Sequence, residues 1–155
     1  MLRFKILGSV VPLMVATLLA HIELIPGPHP CIPAGDETFQ IVASPEHADL
    51  HVSFTDDPAA ATVRVQVSDS ADDADFAMVD DPDGPEADAC KVTPATRFVA
   101  IVAKASHATP VIYLSHHGPA DYQIFVKSRT FTAREAAALI VGAHDAHRRL
   151  ASASF

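Results

Sequence analysis

Nine histidines are spread over the 155 residues, and two pairs have a spacing that permits shared ligation of one ion. His144 and His147 stand about one turn apart on a helical stretch, and His116 and His117 are adjacent in a loop. Imidazoles at i and i+3 can hold a transition metal together, with His107 or His116 completing the set. A plainer reading competes with this one. His147 falls on the apolar side of the helix and His144 at its edge, where partial burial and one hydrogen bond satisfy a ring without any metal. Carboxylates offer a second candidate centre. Asp80, Asp81, Asp83 and Glu86 crowd one turn, with Asp56-Asp57 and Asp72-Asp73 nearby in the chain. Hard cations such as calcium take several oxygen ligands, and extracellular modules work with weak sites. The twelve-residue calcium loop is absent, however, and Pro82 and Pro85 restrict how these carboxylates converge. No cofactor is therefore expected; calcium or a transition metal is the alternative.

Nucleophilic chemistry finds less support. Ser115-His116 sets a hydroxyl beside an imidazole in sequence, but neighbouring strand-end side chains point apart. The Gly-x-Ser-x-Gly elbow is missing, and the 6 glycines form no phosphate-binding spacing. Acid and base carboxylates cannot be singled out from so many acidic turn residues. The expected protein is not an enzyme, with a small hydrolase as the third reading.

Charge narrows the partners. The formal net charge is −8, which opposes nucleic-acid binding, since that needs a basic face to replace counterions. The charge is also split. Residues 36–90 carry 15 acidic side chains and 1 basic one, whereas residues 91–155 carry 3 acidic and 8 basic. Acidic turns of this kind solubilise sheet edges and discourage edge-to-edge pairing; they also suit a cation or a basic partner.

Residues 1–20 read as an export signal, with Arg3 and Lys5 ahead of an uncharged apolar run from Ile6 to Ala20. Cutting after Ala20 leaves Leu18 where a small residue is preferred, so an uncleaved amino-terminal anchor is the alternative. A membrane partner is expected only in that case. Export leads to a periplasmic or secreted location, where Cys31 and Cys90 have one possible intramolecular pairing and should form a disulfide. Residues 21–36 form a Pro-rich lead-in. Residues 37–150 form a single domain, and 151–155 a tail.

The elements that must position these groups come from a short repeat. Ala48-Asp49-Leu50, Ala61-Thr62-Val63, Ala74-Asp75-Phe76 and Ala87-Asp88-Ala89 recur every 13 residues. Alternation follows each start: Leu50, Val52 and Phe54, then Val63, Val65 and Val67, then Phe76 and Met78. Polar residues stand between them, which is the period of a half-buried strand. Val52, Val65 and Met78 hold equivalent places and are expected on one buried face. A related unit returns at Ala120-Asp121-Tyr122. Phe98–Ala103 and Val111–Leu114 are continuous apolar runs, as in central strands covered on both faces. Thr132 and Glu135 make a capping-box pair, and Ala136, Leu139, Ile140, Ala143, His147 and Leu150 align on one side of a helix over about 132–150.

A period of 13 leaves about seven residues for a strand and about six for a turn, too few for a crossover helix. The expected fold is therefore mainly β with one C-terminal helix, in the α+β class. It is an antiparallel, meander-like sheet of about seven short strands, with the helix packed on one face. Such strands are also shorter than the nine to eleven residues that an outer-membrane barrel needs. The Ala-Asp starts and alternating valines resemble a small uncharacterised bacterial family of strand repeats of the form Ala-Asp-x-x-Val-x-x-Val-Asp. The resemblance covers about residues 48–90, with an echo at 120–126, and departs at Thr62 and at Val67-Ser68. It implies β architecture and carries no activity. The expected role is non-enzymatic binding or structural support in the cell envelope, with an unidentified protein or envelope component as partner. A cation-binding module is the runner-up.

Overall fold

A computed structural model describes residues 30–79, 90–129 and 132–153 of the chain. Eight strands precede one long helix: β1 (Cys31–Ala34), β2 (Glu37–Val42), β3 (Leu50–Phe54), β4 (Val63–Val67), β5 (Phe76–Val79), β6 (Thr96–Ile101), β7 (Val111–Ser115), β8 (Tyr122–Lys127) and α1 (Ala133–Ala153). A short 3₁₀ turn, Pro45–His47, lies between β2 and β3. All eight strands join one sheet in the order β1-β2-β6-β3-β7-β4-β8-β5. Gly35, at φ +64°, turns β1 back onto β2 in a conformation that side chains with a Cβ rarely adopt. That first strand begins inside the Pro-rich lead-in.

The fold is mainly β with one C-terminal helix, but the sheet is not an antiparallel meander of seven strands. Among the described residues only β1 and β2 pair antiparallel; every other neighbouring pair is parallel. A parallel return does not require a helix when the strands are this short. A five-residue strand is roughly 17 Å long. The eight-residue link 55–62 can span up to roughly 28 Å when extended, enough to run back alongside its strand. Successive repeats are not neighbours either. The early strands β2 to β5 leave gaps that β6, β7 and β8 fill in order.

The repeated Ala-Asp start now has a physical reason. Asp49 donates its backbone N–H to the Phe98 carbonyl at 2.9 Å and accepts the Phe98 N–H on Oδ2 at 2.8 Å. Asp75 makes the same exchange with Gln123, at 2.8 and 2.7 Å. Asp121 does so with Arg64, at 2.8 Å in both bonds. Thr62, where the motif departs, substitutes its hydroxyl: Oγ1 accepts the Val111 N–H at 2.8 Å. Each start thus clips onto a strand about a third of the chain away, which sets the interleaving. A second 13-residue repeat lies in the later half. Thr93 N–H donates to Thr96 Oγ1 at 2.9 Å, and Ser106 N–H to Thr109 Oγ1 at 3.1 Å, in matching turns before β6 and β7.

The helix begins where the capping box places it. The Glu135 N–H donates to Thr132 Oγ1 at 3.2 Å, and the Thr132 N–H donates to Glu135 Oε2 at 2.8 Å. It packs against all eight strands, reaching β5 through the contact of His144 with Phe76. Its burial is wider than the single stripe read from the sequence. Ala136 through Val141 are all at most 2% exposed, so Ala137, Ala138 and Val141 are buried as well. A helical stretch such as 136–143, buried around its whole circumference, needs a concave surface, and the sheet supplies one by curling into a half-barrel. Burying Leu139, Ile140 and Val141 contributes about 1.5–3 kcal/mol each. Gly142 lets helix and sheet approach closely, since a Cβ there would lie 3.2 Å from Val99.

Val52 and Val65 are fully buried under this helix, and Met78 is half-buried in the same cluster, as their equivalent places require. On β2, β6 and β3 the other face is covered too: Gln40, Ala100 and Ser53 are buried beside Phe39, Val99 and Val52. The 3₁₀ turn packs on β6. Cys31 and Cys90 form a disulfide, tying β1 to the segment that leads into β6. Among the described residues no helix is long and apolar enough to cross a membrane.

Candidate binding cleft

Curling brings the two ends of the sheet toward each other. β1 is one edge and β5 the other, and both line a cleft of about 390 Å³ whose floor is α1. Ile32, Pro33 and Ala34 form one wall; Phe76, Ala77 and Met78 form the other; buried Ile140 and Ala143 close the bottom, and exposed His144 and His147 stand at the mouth. The alternation of β5 turns Phe76 and Met78 inward toward the core cluster. The helical period sets Ala143 and His147 one turn apart beneath them.

The helical histidines serve as ring partners here. His144 lies 4.9 Å from the Tyr122 ring centroid and 5.6 Å from that of Phe76, the latter edge-on. His147 approaches Phe39 at 6.3 Å. Aromatic pairs at these separations stabilise one another through their quadrupoles. Both histidines are exposed, so the partial burial expected of them is not found; ring contacts hold them instead.

The other histidine pair is elsewhere. His116 and His117 are exposed beside a polar hollow of about 510 Å³, together with Gln66, Ser68, Asp69, Ser70, Asp73 and Gln123. Gln66 Nε2 donates to the His116 carbonyl at 3.3 Å, which fixes the start of that loop. Ser115 does not line the hollow, so the sequence neighbours Ser115 and His116 do not converge on it. The two histidine pairs thus line different hollows and are not brought together. Among the described residues, no three His, Cys, Asp or Glu side chains are placed to hold one metal ion. Asp80, Asp81, Asp83 and Glu86 lie outside the described residues.

Charged contacts lie away from the cleft. Arg97 bonds Glu37 at 2.9 Å across the β2–β6 pair, and that hydrogen bond raises its pKa, holding the guanidinium in its charged form. The Arg134 guanidinium carbon sits 3.9 Å above the Phe54 ring. Cleft residues Ile32 and Pro33 carried no functional signal in the sequence, because what makes them a wall is the distant strand they face. Set against protein-family models, curated proteins and solved structures, the chain matches none of them.

Proposed function

We propose that this protein is an exported, non-enzymatic binding module of the cell envelope, and that it holds an apolar ligand in the cleft between β1 and β5. One observation carries the reading: a half-barrel leaves two sheet edges facing each other over an apolar floor. Apolar concavities with a few polar groups at the mouth are the usual form of a ligand site. Here His144, His147 and Asp75 supply those groups.

The test uses the environment-sensitive apolar dye Nile red. Saturable blue-shifted emission is expected with the native chain, and about tenfold weaker binding with Ala34→Phe, which fills the cleft from the β1 wall. Dye binding that is absent, or equal in the variant, refutes the reading. Stoichiometric metal retained through purification would favour the cation-binding module instead. Export itself is read from cell fractionation and the mass of the mature amino terminus.

A further inference from the structure

The two strands beside the cleft differ in what their open sides offer. The Ile41 N–H donates to the Pro30 carbonyl at 3.0 Å, which makes Cys31/Gln40 a non-hydrogen-bonded pair of the antiparallel ladder. Two residues on, Pro33/Thr38 is a pair of the same kind, so the donor missing at Pro33 is missing from the open side. β1 is a blunted edge. On β8, the Ser68 N–H donates to the Ile124 carbonyl at 2.7 Å, committing Ile124 to β4. By the alternation of a parallel ladder, Phe125 bonds toward β5 and brackets its partner Ala77. The N–H and C=O groups of Ala77 and Val79 therefore face outward. Among the described residues no strand pairs with them.

β5 lacks the usual defences of an edge. Its four residues, Phe76–Val79, include no Pro, Lys or other charge, and Val79 is 59% exposed. Carboxylates stand before it instead. Asp72, Asp73 and Asp75 are all exposed there. A second copy of β5 laid alongside in parallel would set these carboxylates against one another, which disfavours that pairing.

We infer that the β5 edge takes, by strand addition, an extended segment of a partner protein with alternating apolar side chains and Lys or Arg at its flanks. This rests on the cleft reading above and names its occupant. Main-chain bonds to Ala77 and Val79 give affinity, alternate apolar side chains enter the cleft beside Phe76 and Met78, and the basic flanks meet the carboxylates.

The full mature chain is titrated with the peptide Lys-Arg-Val-Thr-Val-Thr-Val-Lys-Arg and with its counterpart flanked by Glu and Asp, by fluorescence anisotropy and amide hydrogen exchange. The basic peptide is expected to bind saturably, to slow exchange at Ala77 and Val79, and to bind about tenfold more tightly than the acidic one at low salt. Val79→Pro copies the blunting seen at Pro33 at a residue that does not line the cleft, and is expected to weaken peptide binding about tenfold while Nile red still binds. The surface variant Asp72→Lys with Asp73→Lys, which leaves β5 untouched, should reverse the preference between peptides. Equal affinity for both peptides overturns the inference, as does unchanged exchange at Ala77 and Val79. So does slow exchange there before peptide is added, which would mean that a second copy or the chain's own residues cover the edge. Nile red binding in any of these cases leaves the cleft reading standing; its loss removes both.

Discussion

Replacing Asp121 with Ala tests the clip that orders the sheet. The carboxylate accepts the Arg64 N–H at 2.8 Å between β8 and β4, and the backbone half of the exchange survives the substitution. A hydrogen bond to a charged group contributes about 1.5–3 kcal/mol net, and Asp121 is exposed, so water recovers part of that loss. The expected cost is about 1–1.5 kcal/mol, or about 4–7 °C in melting temperature. Asp121→Asn retains an acceptor oxygen without the charge and should cost about half as much. Thr62→Asp restores the motif where it departs, and should change stability by less than about 0.5 kcal/mol. Asp69→Ala, at an exposed turn, removes the same charge and corrects for the change in net charge. Urea unfolding followed by far-ultraviolet circular dichroism gives each value as a shift in midpoint. Should Asp121→Ala cost no more than Asp69→Ala, the clips are incidental and the repeat needs another explanation.

Val65→Asp should prevent folding, because Val65 is fully buried and an unpaired charge there costs several kcal/mol; the adjacent Gln66→Asp loses only a 3.3 Å bond to the His116 carbonyl and should cost less than about 1 kcal/mol by the same urea assay. Gly142→Val should destabilise by about 1–3 kcal/mol through overpacking against Val99, and Val99→Ala in the same chain should recover part of that loss; strictly additive effects would show that the close approach is not what requires glycine. The intact protein should gain the mass of two hydrogens on reduction and lose up to roughly 4 kcal/mol of stability, since the disulfide links residues 59 apart in the chain. Two freely alkylated thiols in protein purified without reductant would refute the pairing.

Parts of this architecture were legible because they depend on residues close together in the chain. The capping box at Thr132 and Glu135 bonds within one helical turn, and the alternation of Val63, Val65 and Val67 follows from strand geometry alone. The repeat was visible too, although its meaning was not: an Asp before each strand reads as turn chemistry until its acceptor oxygen is seen on a strand far along the chain. The later repeat stayed hidden. Continuous apolar runs at β6 and β7 mask the period that Thr93/Thr96 and Ser106/Thr109 keep. His144 and His147 stood out by their spacing, but that spacing cannot distinguish a metal ligand from a ring that lies against Tyr122 or Phe39.

Strand order was decided by tertiary structure. A period of 13 fixes how long each strand and return can be, and an extended return of eight residues is compatible with either direction of the next strand. The choice of parallel neighbours came from the fit of two repeat sets of the same period, each supplying the partners that the other lacks. The cleft was settled in the same way. Ile32 and Phe76 belong to opposite ends of an eight-stranded sheet, and they line one cleft only because that sheet curls around a helix whose alanines let its middle turns be buried on every side. Pairing and curvature are properties of the assembled sheet, so no local pattern in the chain encodes them.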